Sequence, residues 1–213
     1  MKYKVYIVGH NQYNEYANWL PDSEITINFN KADVVLFAGG EDVHPSMYNE
    51  PIHPYSGNNL KRDLHEKTIF DNAIKQNKYI LGICRGSQFI CVMSGGRLVQ
   101  HQQNPSYKHY IDTYDNNKIR VTSTHHQAQY PYNLPKEDYK ILGWTKDISI
   151  FHEDGNRQEM NPELECEIVY YPKTKCLGIQ SHPEFVNTSL DPLDVEYINY
   201  VKQLFNKFVN NEL

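Results

Sequence analysis

Cys84 lies in Leu81-Gly82-Ile83-Cys84-Arg85-Gly86-Ser87-Gln88, with a glycine two positions to either side and an apolar run, Tyr79 to Ile83, directly before it. The run reads as a strand in the interior of a sheet. The two glycines permit a sharp turn from that strand into a helix, which projects the sulfur above the sheet. There it meets the free N–H groups and positive end of the helix, which favour thiolate over thiol. The chemistry this implies is nucleophilic attack, and a cysteine nucleophile needs a base that is itself held in place. Of the ten histidines, His182 meets that need. It sits in the segment Gly178-Ile179-Gln180-Ser181-His182-Pro183-Glu184 at the end of an apolar strand, with a carboxylate two positions on to fix the imidazole tautomer and stabilise its charged form. Nucleophile, histidine and acid in that chain order differ from the Ser, acid, His order of α/β-hydrolases.

The elements that position these groups follow an α/β pattern. Strand-like runs occur at 5–9, 24–29, 34–38 and 79–83, and a helix over 63–77 precedes the last of them. That helix has Leu64, Ile69, Ala73 and Ile74 near one side, with Asp63 and Glu66 in its first turn, where acids complement the helix dipole. A second helix begins after Cys84 and stops at Ser94-Gly95-Gly96. Two strands, 107–114 and 118–124, flank the turn Asp115-Asn116-Asn117, and further strands follow at 139–145, 166–171 and 176–180. Asp191-Pro192 opens a closing helix whose stripe of Leu193, Tyr197, Val201, Leu204, Phe205 and Phe208 runs to about Val209. The pattern predicts a mostly parallel central sheet flanked by helices, with a small antiparallel extension. At 213 residues it fits one domain, 1–213.

Composition excludes several functions. A net charge of −5 without a Lys/Arg cluster gives no nucleic-acid footprint. No run approaches the ~20 apolar residues needed to cross a membrane. Cys84, Cys91, Cys166 and Cys176 lack zinc-site spacing and are too few for a disulfide scaffold, so a soluble, reduced, cytoplasmic protein is expected. The last three cysteines read as packing. His44 beside Glu41 and Asp42 belongs to a turn that Asp42 and Pro45 explain, and no metal is expected there. Arg62, Asp63 and Glu66 read as an ion pair and a helix start.

Cys84 in its Gly-Ile-Cys-Arg-Gly-Ser-Gln setting, followed by His182-Pro183-Glu184, resembles the class I glutamine amidotransferase superfamily. Phe37-Ala38-Gly39-Gly40-Glu41-Asp42-Val43-His44-Pro45 is similar to the loop of its γ-glutamyl hydrolase branch, which includes γ-glutamyl-GABA hydrolases. Arg62-Asp63 with Glu66, Gly95-Gly96-Arg97-Leu98-Val99-Gln100 and Ser123-x-His125-His126-Gln127 agree, so the resemblance spans about 34–185. It implies a flavodoxin-like fold and a Cys84, His182, Glu184 triad that cleaves γ-glutamyl amides through a thioester. It also supplies Gly40 as a second oxyanion donor beside the N–H of Arg85, and substrate contacts from Gln88, Ser123, His125 and His126. No metal or organic cofactor is implied. The expected partner is a small γ-glutamyl substrate, with the chain a monomer or homodimer. The alternatives are a glutaminase subunit feeding ammonia to a synthase, and a silent binding homologue, against which the intact triad argues. Ser181 stands where an aromatic residue is expected, and Gly9 to Asn14 departs from the pattern, which leaves a GABA-like or a nucleotide phosphoramidate leaving group open.

Overall fold

In the computed structural model, residues 2–9, 13–102, 108–122, 124–146, 164–186 and 191–213 are described. Among these residues nine strands form one sheet in the order β2-β1-β3-β4-β11-β10-β9-β6-β7. The parallel half comprises β1 (Tyr3–Val8), β2 (Ser23–Ile25), β3 (Val34–Phe37), β4 (Tyr79–Ile83) and β11 (Cys176–Ile179). The antiparallel extension adds four strands, β6 (Lys108–Thr113), β7 (Lys118–Thr122), β9 (Lys140–Thr145) and β10 (Glu165–Tyr171). A separate pair, β5 (Arg97–Val99) with β8 (Ala128–Tyr130), was not expected from the sequence pattern.

Strand alternation sorts the core into two layers, because successive side chains leave opposite faces of a strand. Val5, Ile7, Val34, Leu36, Leu81 and Ile83 pack under α1 (Tyr13–Ala17) and α4 (Pro192–Val209). Val8, Val35, Phe37 and Ile80 pack under α2 (Leu60–Lys75) and α3 (Arg85–Met93). The Asp191 side chain caps α4 by accepting from the N–H of Leu193.

Two local expectations are corrected. The strand expected over 24–29 is Ser23–Ile25 and stops there, because Asn28 caps a short helical turn over Phe29–Lys31. On α2 the inward residues are Asp63, Glu66, Phe70 and Ala73, while Leu64 is exposed. Two carboxylates face the interior because a buried cation receives them.

Candidate active site

The ends of three adjacent parallel strands, β3, β4 and β11, converge at one edge of the sheet. This is where open α/β sheets place ligands. β3 runs on into Gly39 and Gly40, β4 into Cys84, and β11 into Gln180 and His182. Cys84 has φ 51° and ψ −111°, a backbone conformation that costs a non-glycine residue on the order of 1–3 kcal/mol and persists only where the surroundings impose it. The flanking glycines serve close approach. A Cβ on Gly82 would stand 2.4 Å from the Gly86 carbonyl oxygen, and one on Gly86 would stand 1.9 Å from that of Phe37.

His182 Nδ1 meets Glu184 Oε1 at 2.7 Å, and Cys84 lies beside the imidazole, close enough to act on its charge. Burial opposes the charged imidazole, but hydrogen bonds and charge from Cys84 and Glu184 outweigh it and raise His182 to about 10. His182 therefore holds its proton at neutral pH. Phe185 stacks on the imidazole, with ring centroids 4.3 Å apart. The sulfur of Cys84 also accepts from Gln180 Nε2 at 3.9 Å. Burial drives the thiols of Cys91, Cys166 and Cys176 upward and keeps them protonated.

The Gly39-Gly40 loop is held from both sides. The Gly39 N–H donates to the Tyr16 hydroxyl at 3.2 Å, and its carbonyl accepts from Arg62 Nη2 at 3.1 Å. The peptide unit is planar and trans, so fixing the Gly39 carbonyl also turns the Gly40 N–H to the side away from Arg62. Gly40 has φ 146°, and a Cβ there would fall 2.2 Å from Arg62 Nη1. Tyr16, Ala38, Gly39, Gly40, His182, Glu184 and Phe185 line a cavity of about 170 Å³. A larger groove of about 400 Å³ between β7 and α4 has neither cysteine nor histidine among its described lining residues.

Arg85 contributes twice. Its N–H opens α3 next to the nucleophile, while its guanidinium, 1% exposed, pairs with Asp63 and Glu66 on α2. The ion pair expected within Arg62, Asp63 and Glu66 is thus larger, since Arg62 also bonds Glu66 at 2.8 Å and Glu41 at 3.3 Å.

Gln88 is buried, its amide donating to the Gln127 carbonyl at 2.9 Å. His125 is buried with Nδ1 2.8 Å from the same carbonyl, and burial lowers its pKa, so it is neutral. His126 reaches Asp42 at 3.0 Å, and that bond raises its pKa. Ser123 lies outside the described residues. Ser181 bonds the Tyr197 hydroxyl on α4 at 2.6 Å, so it faces the core rather than a leaving group. Sequence reasoning gave no role to Tyr16, Gln180 or Phe185. Only Gln180 carried a signal, standing two residues before His182 at a strand end. Among the described residues, no three His, Cys, Asp or Glu side chains are grouped to hold a metal ion, and no helix is long and apolar enough to cross a membrane.

Residues 19–151 match the family model described as Peptidase C26. Protein NtpR of Enterococcus hirae is 31% identical over 186 residues, which cover 74% of this chain and 69% of that protein. A Schizosaccharomyces pombe protein named as a candidate glutamine amidotransferase is 28% identical over 189 residues, 84% of this chain and 69% of its own length. Among solved structures, a glutamine amidotransferase of Thermotoga maritima aligns over 98% of this chain and 95% of its own at a TM-score of 0.55 and 14% identity. The glutaminase domain of Trypanosoma brucei CTPS, bound to acivicin, aligns over 99% and 94% at 0.58 and 13%. These likenesses show a shared flavodoxin-like fold.

Proposed function

The chain belongs to the peptidase C26 family, within the class I glutamine amidotransferase superfamily, and on that premise we propose that it is a stand-alone cysteine hydrolase of small γ-glutamyl amides. What carries this reading is the Cys84, His182, Glu184 constellation at the strand ends, with the doubly held Gly39-Gly40 loop beside it.

In this reading Cys84 Sγ attacks the γ-carbonyl carbon, and the carbonyl electrons move to oxygen. The N–H groups of Arg85 and Gly40 receive the oxyanion, a kind of interaction worth about 10²–10³ in rate per donor. His182 gives its proton to the amide nitrogen as the C–N bond breaks, and the amine leaves a γ-glutamyl thioester. Water then attacks the thioester, His182 takes the water's proton, and the C–S bond breaks to free glutamate. Glu184 keeps the imidazole oriented and its charge balanced throughout. The leaving amine is of GABA-like or nucleotide phosphoramidate type.

The test is glutamate release from a panel of γ-glutamyl amides, glutamine included, with Cys84→Ala as control. Release that depends on Cys84 supports the reading. Intact substrates throughout the panel would sink it, and release from glutamine only with an added synthase would favour the subunit alternative.

A further inference from the structure

Tyr16 is 2% exposed, and its hydroxyl sits between the two halves of the site. It accepts from the Gly39 N–H, and it faces the Glu184 carboxylate. Glu184 spends Oε1 on His182, whereas its Oε2 is buried without a hydrogen-bond partner. A phenol carries one donor and can also accept. With Gly39 donating to it, the Tyr16 proton has one acceptor to serve, and a buried hydroxyl kept from water is costly unless it finds one.

We propose that Tyr16 is a positioning residue, its O–H donating to Glu184 Oε2 while its oxygen holds the Gly39 N–H, so that one side chain ties the triad carboxylate to the oxyanion loop. The proposal rests on Cys84, His182 and Glu184 acting as a triad. It has a consequence for the loop: because the Gly39 N–H is taken, Gly40 supplies the donor that meets the oxyanion. Burial and the neighbouring Glu184 charge push the Tyr16 pKa up, so the hydroxyl keeps its proton across the working range. The titratable groups around this point are Glu184, His182 and Cys84, with Arg62 and Glu41 beyond the loop.

The experiment follows Cys84 alkylation by iodoacetamide across pH, which needs no substrate. Tyr16→Phe keeps the ring and its packing, and melting temperature reports whether the fold is retained. The expected result is alkylation about tenfold slower at neutral pH, the lower bound for one hydrogen bond to a charged acceptor. In a Glu184→Gln background the same change costs less than about twofold, because a residue that acts through Glu184 has nothing left to act on. Where a γ-glutamyl substrate is cleaved, kcat falls and KM holds. Alkylation at the unmodified rate in Tyr16→Phe, or full multiplication of the two effects in the double variant, overturns the proposal. If the alkylation results hold while no γ-glutamyl compound is cleaved, the substrate assignment fails and the Tyr16 assignment stands.

Discussion

Replacing Arg85 by Met tests whether the elbow depends on the buried charge cluster beneath it. Arg85 is 1% exposed and Asp63 and Glu66 are no more than 2% exposed, so water cannot take the place of the guanidinium. Removing one member of a buried ion pair typically costs about 3–5 kcal/mol, because the partner charge is left uncompensated. Each carboxylate here keeps one donor: Asp63 retains the His44 N–H at 2.8 Å, and Glu66 retains Arg62 Nε at 2.8 Å. The loss should therefore lie near the lower bound, about 3 kcal/mol, which for a chain of this size lowers the melting temperature by roughly 6–12 °C. Arg85→Lys should fall between wild type and Met, since an ammonium cannot span both carboxylates as a planar fork does. Calorimetric unfolding measures these changes, and the Cys84 alkylation rate reports whether the turn has moved. Adding Asp63→Asn and Glu66→Gln to Arg85→Met should recover at least half of the loss. A Met variant within about 1 kcal/mol of wild type, or a triple variant less stable than the single one, would refute the reasoning.

Three further outcomes follow from the same geometry. Limited iodoacetamide treatment of the native protein should place one label, on Cys84, because Cys91, Cys166 and Cys176 are at most 1% exposed with their thiols pushed upward, and peptide mass spectrometry locates it. The folded pKa of His182, about 10, lies above the 6.5 of a free histidine, so the stability it contributes is complete below about pH 6.5 and fades as pH climbs towards 10. The melting-temperature advantage of wild type over His182→Gln should shrink over that window, and an advantage that grows with pH contradicts the assignment. Gly86→Ala should cost about 3 kcal/mol or more by overpacking against the Phe37 carbonyl, whereas Gly57→Ala, with nothing within 4 Å of its Cβ, should melt like wild type.

The elbow was legible because its signals are local: an apolar run, two glycines and a helix stop all fall within 79–96. His182 and Glu184 were legible for a similar reason, standing two residues apart at the end of an apolar strand. The Arg85 cluster was not. Its partners lie 19 and 22 residues away, and Asp63 and Glu66, three apart near a helix start, carry the same pattern as a solvated face. That pattern also misplaced Leu64, because periodicity reads any polar helix face as outward and cannot see a buried cation on another helix. Tyr16 gave no local sign, since its role depends on α1 settling against the turn that holds Glu184. The pairing of β5 with β8 was hidden by strands too short to show alternation.

The Gly39-Gly40 peptide, clamped at its N–H by Tyr16 and at its carbonyl by Arg62, bears on how such an enzyme is controlled. A glutaminase that waits for a synthase needs an off setting, and rotating one oxyanion peptide would provide it. Here that rotation must break a charge-assisted bond to an arginine already anchored by Glu41 and Glu66, at a cost of about 1.5–3 kcal/mol. The rotated form would then make up no more than several per cent of molecules. On the proposed reading the loop would have almost no idle population, and turnover would be governed by the supply of substrate.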